Sequence, residues 1–224
     1  MGRNNDNTIA IWAIVPVKPL NRSKSRLAPV LDPEQRMAFS QKMLENTLGI
    51  LTETPEIEGV LVVSRDTAAL AVARNYNVLT VRESGSPELN DALTRATELL
   101  TLKHHITGVL VLPSDLPLLQ KSDLEEMFVR AQPVPVVVIA PDRRREGTNA
   151  LLVCPPGKVA YAFGGESFER HAMLARMAEA RVEIVESPTL ALDVDVPEDL
   201  DLYRAMLHER DMPEPAWSSS LVDS

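Results

Sequence analysis

IAIWAIVPV, residues 9–17, is an almost unbroken apolar run that is rich in β-branched residues. A strand with one solvated face carries polar residues at every second position, whereas the strands of parallel sheets are buried on both faces and stay apolar throughout. The run therefore predicts a central strand of a parallel sheet. Cations begin directly after it, at Lys18.

Short β-branched runs alternate with helical patterns along the rest of the chain. Strands are predicted at 59–64, 78–81, 109–112, 134–140, 150–153 and 182–185. Asp32 is the expected N-cap of a helix that buries Met37 with Leu44, and Ser122 and Ser167 are expected to cap later helices. The alternation predicts one α/β domain over residues 8–210, a doubly wound, mainly parallel sheet with helices on both faces. Residues 1–7 and 211–224 are predicted to be flexible tails.

Composition excludes several classes of function. The net charge of −9 and an aromatic content of 4% argue against a nucleic-acid partner, which needs cations and stacking rings. A single cysteine, Cys154, indicates a reducing setting, so a cytoplasmic location is expected. Since no apolar run approaches the roughly 20 residues of a spanning helix, we expect no membrane association. The sequence carries no signal for oligomeric state.

A basic loop follows the first strand, at the edge of the sheet where ligands of such folds bind. It contains Lys18, Arg22, Lys24 and Arg26. Because lysine and arginine together neutralise several phosphate oxygens, the loop predicts a clamp for a polyphosphate. The alternative is a solvated basic loop without a ligand.

Carboxylates stand at two further strand ends. Asp115 lies between two prolines after the predicted strand at 109–112, where it suits a divalent metal or a ribose hydroxyl, or merely forms a turn. Asp193 and Asp195 are two residues apart, so in an extended segment they share a face and could bind one cation. Asp195 has a second interpretation, as an acid before the helix that begins near Pro197.

Two small-residue turns are candidates for binding a phosphorylated acid. Gly147 would let backbone approach a ligand, and Thr148 offers a hydroxyl and an N–H beside Asn149. The segment 163–167 contains Gly164 and leads into a helix N-terminus at Ser167, where free backbone amides favour an anion. The alternatives are an exposed hairpin and an ordinary glycine loop with a serine cap. The four histidines show no ligand spacing and are assigned no role.

Together these motifs resemble the CofC/FbiD guanylyltransferases of coenzyme F-420 biosynthesis, over about residues 10–206. The shared motifs are VPVK at 15–18, KSRL at 24–27, PSDLP at 113–117, PDR at 141–143, GTNAL at 147–151, FG at 163–164, SF at 167–168 with His171, LDVD at 192–195 and PEDL at 197–200. The first and last are shared loosely with molybdopterin guanylyltransferases, which usually carry a glycine-rich first loop that this chain lacks.

The resemblance implies a GT-A-like nucleotidyltransferase that joins GTP to a small phosphorylated acid and releases pyrophosphate. The acid is usually phosphoenolpyruvate in bacterial members and 2-phospho-L-lactate in archaeal ones, with 3-phosphoglycerate a further alternative. Mg²⁺ would be bound by Asp115, Asp193 and Asp195. The acid would be bound by Thr148, Gly164 and Ser167 with Gly147 and Asn149, the nucleotide by Lys18, Arg26, Asn90 and Ser114, and the departing pyrophosphate by Lys18, Lys24 and Arg26.

The expected partners follow from that reaction. They are GTP, the acid, and the next enzyme of the pathway as receiver of the product. Two other functions remain open at this point: another nucleotidyltransferase, such as a molybdopterin type, and a non-catalytic nucleotide-binding domain.

Overall fold

The computed structural model describes residues 10–83 and 88–209. The predicted tails at 1–7 and 211–224, and Ile9 at the start of the first predicted strand, lie outside these ranges. The strands are β1 Ile11–Val17, β2 Ile57–Ser64, β3 Leu79–Arg82, β4 Gly108–Val111, β5 Val136–Pro141, β6 Thr148–Cys154 and β7 Arg181–Ile184. The helices are α1 Pro33–Thr52, α2 Thr67–Arg74, α3 Leu89–Lys103, α4 Lys121–Val129, α5 Ser167–Met177 and α6 Pro197–Glu209.

The described strands form one seven-stranded sheet in the order β3-β2-β1-β4-β6-β5-β7. β1 pairs in parallel with β2 on one side and β4 on the other, so the first strand is central, as its apolar sequence predicts. β6 runs antiparallel to both of its neighbours, β4 and β5, whereas β5 and β7 are parallel. The prediction of a doubly wound, mainly parallel sheet is confirmed.

Helices cover both faces of the sheet because β1 sends apolar side chains to each. Ala13 and Val15 face the cluster that α1, α2 and α4 complete, and Trp12 and Ile14 face the cluster of α3 and α5. A third cluster packs α6 against α1 and contains Tyr203, Phe39 and Met43. None of the helices in the described ranges is long and apolar enough to cross a bilayer.

Helix N-termini differ in part from the predictions. The Asp32 carboxylate accepts hydrogen bonds from the backbone N–H groups of Glu34 and Gln35, as expected of an N-cap. Ser122 does not cap α4, because the helix begins one residue earlier, and Gln120 is the N-cap. Ser167 is the first residue of α5 instead of its cap, a place taken by Glu166 in a left-handed backbone conformation.

The predicted buried face of α1 contained one error. Met37 is 43% exposed, while Phe39 and Met43 are buried in its place. Phe39 and Met43 of α1 belong to the cluster with α6, and the helix joins the cluster against the sheet from Leu44 onward. The sequence carries no signal for this division because it arises from a helix more than 150 residues away along the chain.

Candidate active site

A cavity of about 670 Å³ lies at the carboxyl-end edge of the sheet. It runs past the ends of β1, β2, β3 and β4, and reaches the start of β6 and of α5. Most of the predicted site residues line it: Lys18, Lys24, Ser114, Asp115, Gly147, Thr148, Asn149, Gly164, Ser167, Asp193 and Asp195. Arg26 lines a smaller cavity of about 130 Å³, which Asp193 and Asp195 also border.

The ammonium of Lys24 lies between the carboxylates of Asp115 and Asp195. Its ammonium nitrogen is 3.1 Å from Asp115 Oδ2 and 2.7 Å from Asp195 Oδ1, and its side chain is 6% exposed. The backbone of Lys24 is left-handed, with φ of 53°, which costs a residue other than glycine about 1–2 kcal/mol. Two charge-assisted hydrogen bonds offset that strain. The loop predicted to bind polyphosphate is therefore joined to the carboxylates by its own middle lysine.

Asp193 and Asp195 differ in how readily they ionise. Burial raises the pKa of Asp193 to about 6, and the negative charges of Asp115 and Asp195 add to the shift. Burial alone would also raise the pKa of Asp195, but the positive charge of Lys24, aided by Lys18 and Arg26, lowers it overall. Burial disfavours the Lys24 ammonium, yet the two carboxylates beside it outweigh this and raise its pKa.

Backbone hydrogen bonds hold the segment with the aspartate pair in place. The N–H of Val194 donates to the carbonyl of Asp115 at 3.4 Å. The Asp199 carboxylate accepts from the N–H groups of Asp195 and Val196, both at 3.0 Å. Asp199, which belongs to the first turn of α6, therefore fixes the approach of the chain to the helix. The side chain of Asp195 is paired with the ammonium of Lys24.

The donor set suits a hard divalent cation such as Mg²⁺. Over residues 10–83 and 88–209, no group of three or more His, Cys, Asp and Glu side chains is arranged as a ready metal site. Mg²⁺ does not need one, since it is usually held by one or two carboxylates together with substrate phosphates and water. Asp115 and Asp195 already share a cation, the Lys24 ammonium. These residues fit the ion.

The other end of the cavity is formed by a hairpin turn and a glycine turn. In the hairpin, the N–H of Asp142 donates to the carbonyl of Gly147 at 3.1 Å, and a Cβ on Gly147 would lie 2.8 Å from Asp142 Oδ2. A side chain at position 147 would therefore make the Asp142 carboxylate move. Gly164 has φ of 125°, a conformation that favours glycine. Its carbonyl accepts from the N–H of Ser167 at 3.2 Å, which closes the turn into α5.

His171, which belongs to a motif shared with the guanylyltransferases but was assigned no role from the sequence, stands behind Thr148. It is fully buried on α5, with Nδ1 3.0 Å from Thr148 Oγ1 and Nε2 accepting from the N–H of Ala162 at 3.0 Å. Burial, with the positive charge of Arg170 as a smaller cause, lowers its pKa to about 4. Besides that motif, its trace in the sequence is a polar residue between Phe168 and Ala175 on an otherwise apolar helix face.

The two predicted site asparagines, Asn90 and Asn149, form hydrogen bonds to backbone groups. Asn90 donates to the carbonyl of Phe163 at 3.1 Å and accepts from its N–H at 2.8 Å, so its amide is engaged with the glycine turn. Asn149 lines the cavity and donates to the carbonyl of Leu190 at 2.9 Å. A role of Asn90 in binding nucleotide stays a prediction.

The hairpin also carries three successive arginines, Arg143, Arg144 and Arg145. Arg143 pairs with Asp199, and Arg145 pairs with Glu186 and lies over the ring of Phe168. Neither they nor Arg144 line the larger cavity. Arg65 and Glu83 do line it, directly after β2 and β3. The rule that ligands gather at strand ends could have found both.

The fold is that of the nucleotidyltransferases. A solved structure from Desulfovibrio desulfuricans G20, assigned as a nucleotide-diphospho-sugar transferase, matches with a TM-score of 0.76 at 13% identity, covering 95% of this chain and 93% of its own. The model of the family described as "Guanylyl transferase CofC like" matches residues 11–217. The chain belongs to this guanylyltransferase family.

Several relatives of this chain are named as guanylyltransferases of particular acids. A phosphoenolpyruvate guanylyltransferase of Conexibacter woesei is 38% identical over 90% of this chain and 91% of its own length. A second, from Rubrobacter xylanophilus, is 40% identical over 86% of this chain and 92% of its own. A 2-phospho-L-lactate guanylyltransferase of Methanothermobacter thermautotrophicus is 34% identical over 84% and 81%. The resemblance inferred from the motifs is confirmed.

Proposed function

We propose that this protein transfers the guanylyl group of GTP to phosphoenolpyruvate, giving enolpyruvoyl-diphospho-guanosine and pyrophosphate, a step in coenzyme F-420 biosynthesis. One observation carries the proposal. A single cavity holds the basic loop, the aspartates and the small-residue turns, so a nucleotide and a phosphorylated acid can meet in it. Membership of the guanylyltransferase family supports the reaction type.

The strand order supports a division of the cavity into two ends. The ends of β2 and β3, with Arg65 and Glu83, lie on one side of β1, and the start of β6, with Thr148, lies on the other. Lys18 and Asp115 follow β1 and β4 between them. We assign the nucleoside to the first side, the acid to the second, and the phosphates to the middle.

The reaction needs little covalent help from the protein. A phosphate oxygen of the acid forms a bond to the α-phosphorus of GTP, and the bond from that phosphorus to the β-phosphate bridging oxygen breaks. The acid's phosphate is a dianion near neutral pH, so no base has to remove a proton. What remains is in-line positioning and neutralisation of charge, for which the cavity has both cations and hydrogen-bond donors.

Asp115, Asp193 and Asp195 are the residues we assign to Mg²⁺. When bound, the ion would neutralise the charge that builds up around the α-phosphate. Lys24 suits the same place, because an ammonium has three N–H donors and Asp115 and Asp195 take two of them. The third is left for a phosphate oxygen. Lys18 and Arg26, both exposed, would bind the departing pyrophosphate.

The acid end suits a small, strongly anionic guest. Phosphoenolpyruvate carries about three negative charges near neutral pH, since its second phosphate pKa is near 6. The hydroxyls of Thr148 and Ser167 are donors for such an anion. The expected free amides at the start of α5 are largely engaged, since the N–H groups of Ser167 and Phe168 donate to the carbonyls of Gly164 and Glu146. We rank phosphoenolpyruvate ahead of 2-phospho-L-lactate and 3-phosphoglycerate because two relatives with high coverage carry its name.

The decisive experiment is a turnover assay. Purified protein with GTP and Mg²⁺ is given phosphoenolpyruvate, 2-phospho-L-lactate or 3-phosphoglycerate in turn, and pyrophosphate release is followed. Release is expected with phosphoenolpyruvate and should exceed that with the other two acids. Release with phospholactate alone would change the acid, and release with none, while GTP still binds, would refute the enzyme assignment.

Arg26→Ala is expected to weaken GTP binding by about 1–3 kcal/mol, the value of a hydrogen bond to a charged group. Calorimetric titration with GTP measures it. Arg74→Ala is the matched control, since Arg74 ends α2 at the opposite edge of the sheet and is exposed. Equal GTP affinities of the Arg26 variant and wild type would leave this part of the basic loop a solvated surface.

The remaining partner and the location follow from the same reaction. The product is a diphosphate ester, an activated group donor, and the enzyme that consumes it is the protein partner we propose. GTP and phosphoenolpyruvate are cytoplasmic metabolites, so we place the reaction in the cytoplasm.

A further inference from the structure

We propose that His171 is a positioning residue for the acid end of the cavity, which sets the direction of the Thr148 hydroxyl. The inference rests on the proposed function, because it takes the small acid as the ligand of Thr148. His171 itself does not line the cavity. It lies on α5, which packs against the sheet, and it contacts Thr148 through a hydrogen bond.

The hydrogen bonds around the ring leave one arrangement of protons. A backbone N–H can only donate, so the Ala162 N–H at 3.0 Å makes Nε2 an acceptor. A neutral imidazole has one acceptor and one donor nitrogen, and Nδ1 must then carry the proton. Nδ1–H therefore donates to Thr148 Oγ1, also at 3.0 Å. The other tautomer would point two N–H groups at each other.

The ring stays neutral in this position. A charged imidazolium would carry a proton on Nε2 as well, directed at the Ala162 N–H. Burial, with the charge of neighbouring Arg170, lowers the His171 pKa to about 4, which agrees with that geometry. The donor at Nδ1 is therefore present at neutral pH, and it does not depend on the titration of the ring.

The Thr148 hydroxyl is thereby committed as an acceptor toward His171. A hydroxyl has one hydrogen, and that of Thr148 is no longer needed by the ring. Thr148 lines the cavity, so the hydrogen can be donated to a ligand there. A donor favours an anionic oxygen, such as that of a carboxylate or phosphate, over a hydroxyl or amine that competes to donate. The pair His171–Thr148 thus selects for an oxyanion.

The same ring also joins the two walls of the acid end. Thr148 begins β6, and Ala162 precedes the turn of Phe163 and Gly164. One side chain from α5 therefore sets the distance between the hydroxyl of Thr148 and the glycine turn. Asn90 holds the same turn from α3 through Phe163, so the turn is fixed from two helices.

Steady-state kinetics test the role. His171→Leu and His171→Gln should raise the KM for phosphoenolpyruvate about tenfold or more, the value of one hydrogen bond to a charged group, and leave the KM for GTP unchanged. A purely structural role would lower the active fraction and kcat without this split. Thr148→Val should raise the same KM, and adding His171→Leu to it should raise it less than twofold further.

Tyr161→Phe is the matched control. It removes the half-buried 2.6 Å hydrogen bond between Tyr161 and Thr97 in the same neighbourhood, without touching Thr148, and should leave both KM values unchanged. The Gln variant keeps the test available if the Leu variant does not fold. Equal changes in both KM values, or fully multiplicative effects of the His171 and Thr148 variants, would overturn the proposal.

A second measurement is independent of the reaction. Nitrogen-15 NMR of the histidine side chains distinguishes the Nδ1–H from the Nε2–H tautomer, and the His171→Gln variant identifies the His171 signals. The Nδ1–H tautomer is expected at pH 7. An Nε2–H tautomer or a charged ring would overturn the inference even if no acid is accepted, whereas failure of turnover with the expected tautomer would refute only the proposed function.

Discussion

Asp193→Asn is expected to lower turnover about a thousandfold, while the melting temperature without Mg²⁺ stays the same or rises. The loss corresponds to about 4 kcal/mol of transition-state stabilisation, the scale of a metal-bound charge. The folded protein has no reason to lose stability. Burial and the charges of Asp115 and Asp195 raise the Asp193 pKa to about 6, so the ionised carboxylate is disfavoured where it stands. A neutral amide removes that cost.

Two comparisons make the result specific to the site. Asp195→Asn should lower both turnover and stability, because it also breaks the 2.7 Å ion pair with Lys24. Asp201→Asn on α6, whose side chain is 77% exposed, should change neither. Pyrophosphate release and thermal melting with and without Mg²⁺ give both quantities. An Asp193 variant that keeps a tenth of wild-type turnover would remove Asp193 from the metal set.

Lys24→Met is expected to lower turnover at least a hundredfold and to destabilise the fold by about 1–3 kcal/mol. The Lys24 side chain is 6% exposed and its ammonium lies between two carboxylates, and removing one member of a buried charge group leaves the others uncompensated. The cost stays below that of a fully buried pair because the Asp195 side chain is 39% exposed and partly screened by water. Methionine keeps most of the volume of the side chain, so lost packing adds little.

The Lys24 variant has a second expected property. Its carboxylates lack their cation, so Mg²⁺ alone should raise its melting temperature more than it raises that of wild type. Lys42→Met is the control, since Lys42 pairs with Glu45 at 2.8 Å but its side chain is 48% exposed on α1. Unchanged turnover after Lys24→Met would show that the lysine serves neither the phosphates nor the aspartates.

The strands were predictable from the sequence because their signal is local. Residues 9–17 are apolar at both faces, and β1 is indeed buried by helices on each side. Asp32 was predictable as a cap for the same reason, since its partners Glu34 and Gln35 lie within three residues. Ser167 was not, because the left-handed conformation of Glu166 is set by the turn from Gly164.

The candidate site likewise contains residues that could be predicted from local sequence and residues that could not. Residues at strand ends, such as Lys18 and Asp115, could be placed at one edge of the sheet from the order of elements alone. The contact of Lys24 with Asp195 spans 171 positions, and that of His171 with Thr148 joins a helix to a strand. Neither leaves a mark in spacing or composition. Such contacts come from the packing of distant segments, which a single sequence does not encode locally.

Because β6 runs in the reverse direction, the proposed acid end of the cavity is built from a different segment than the proposed nucleotide end. Among the described strands β6 alone runs against its neighbours, so Thr148 enters the cavity from a strand's beginning, directly after the turn at 142–147. The end of the cavity that we propose for the nucleotide depends on β1, β2 and β3, which contribute nothing to that turn. An exchange of one hairpin between homologues can therefore alter the acceptor and leave the donor nucleotide as it was. Evolution could diversify this scaffold by acceptor, through local replacement, with the guanylyl chemistry inherited intact.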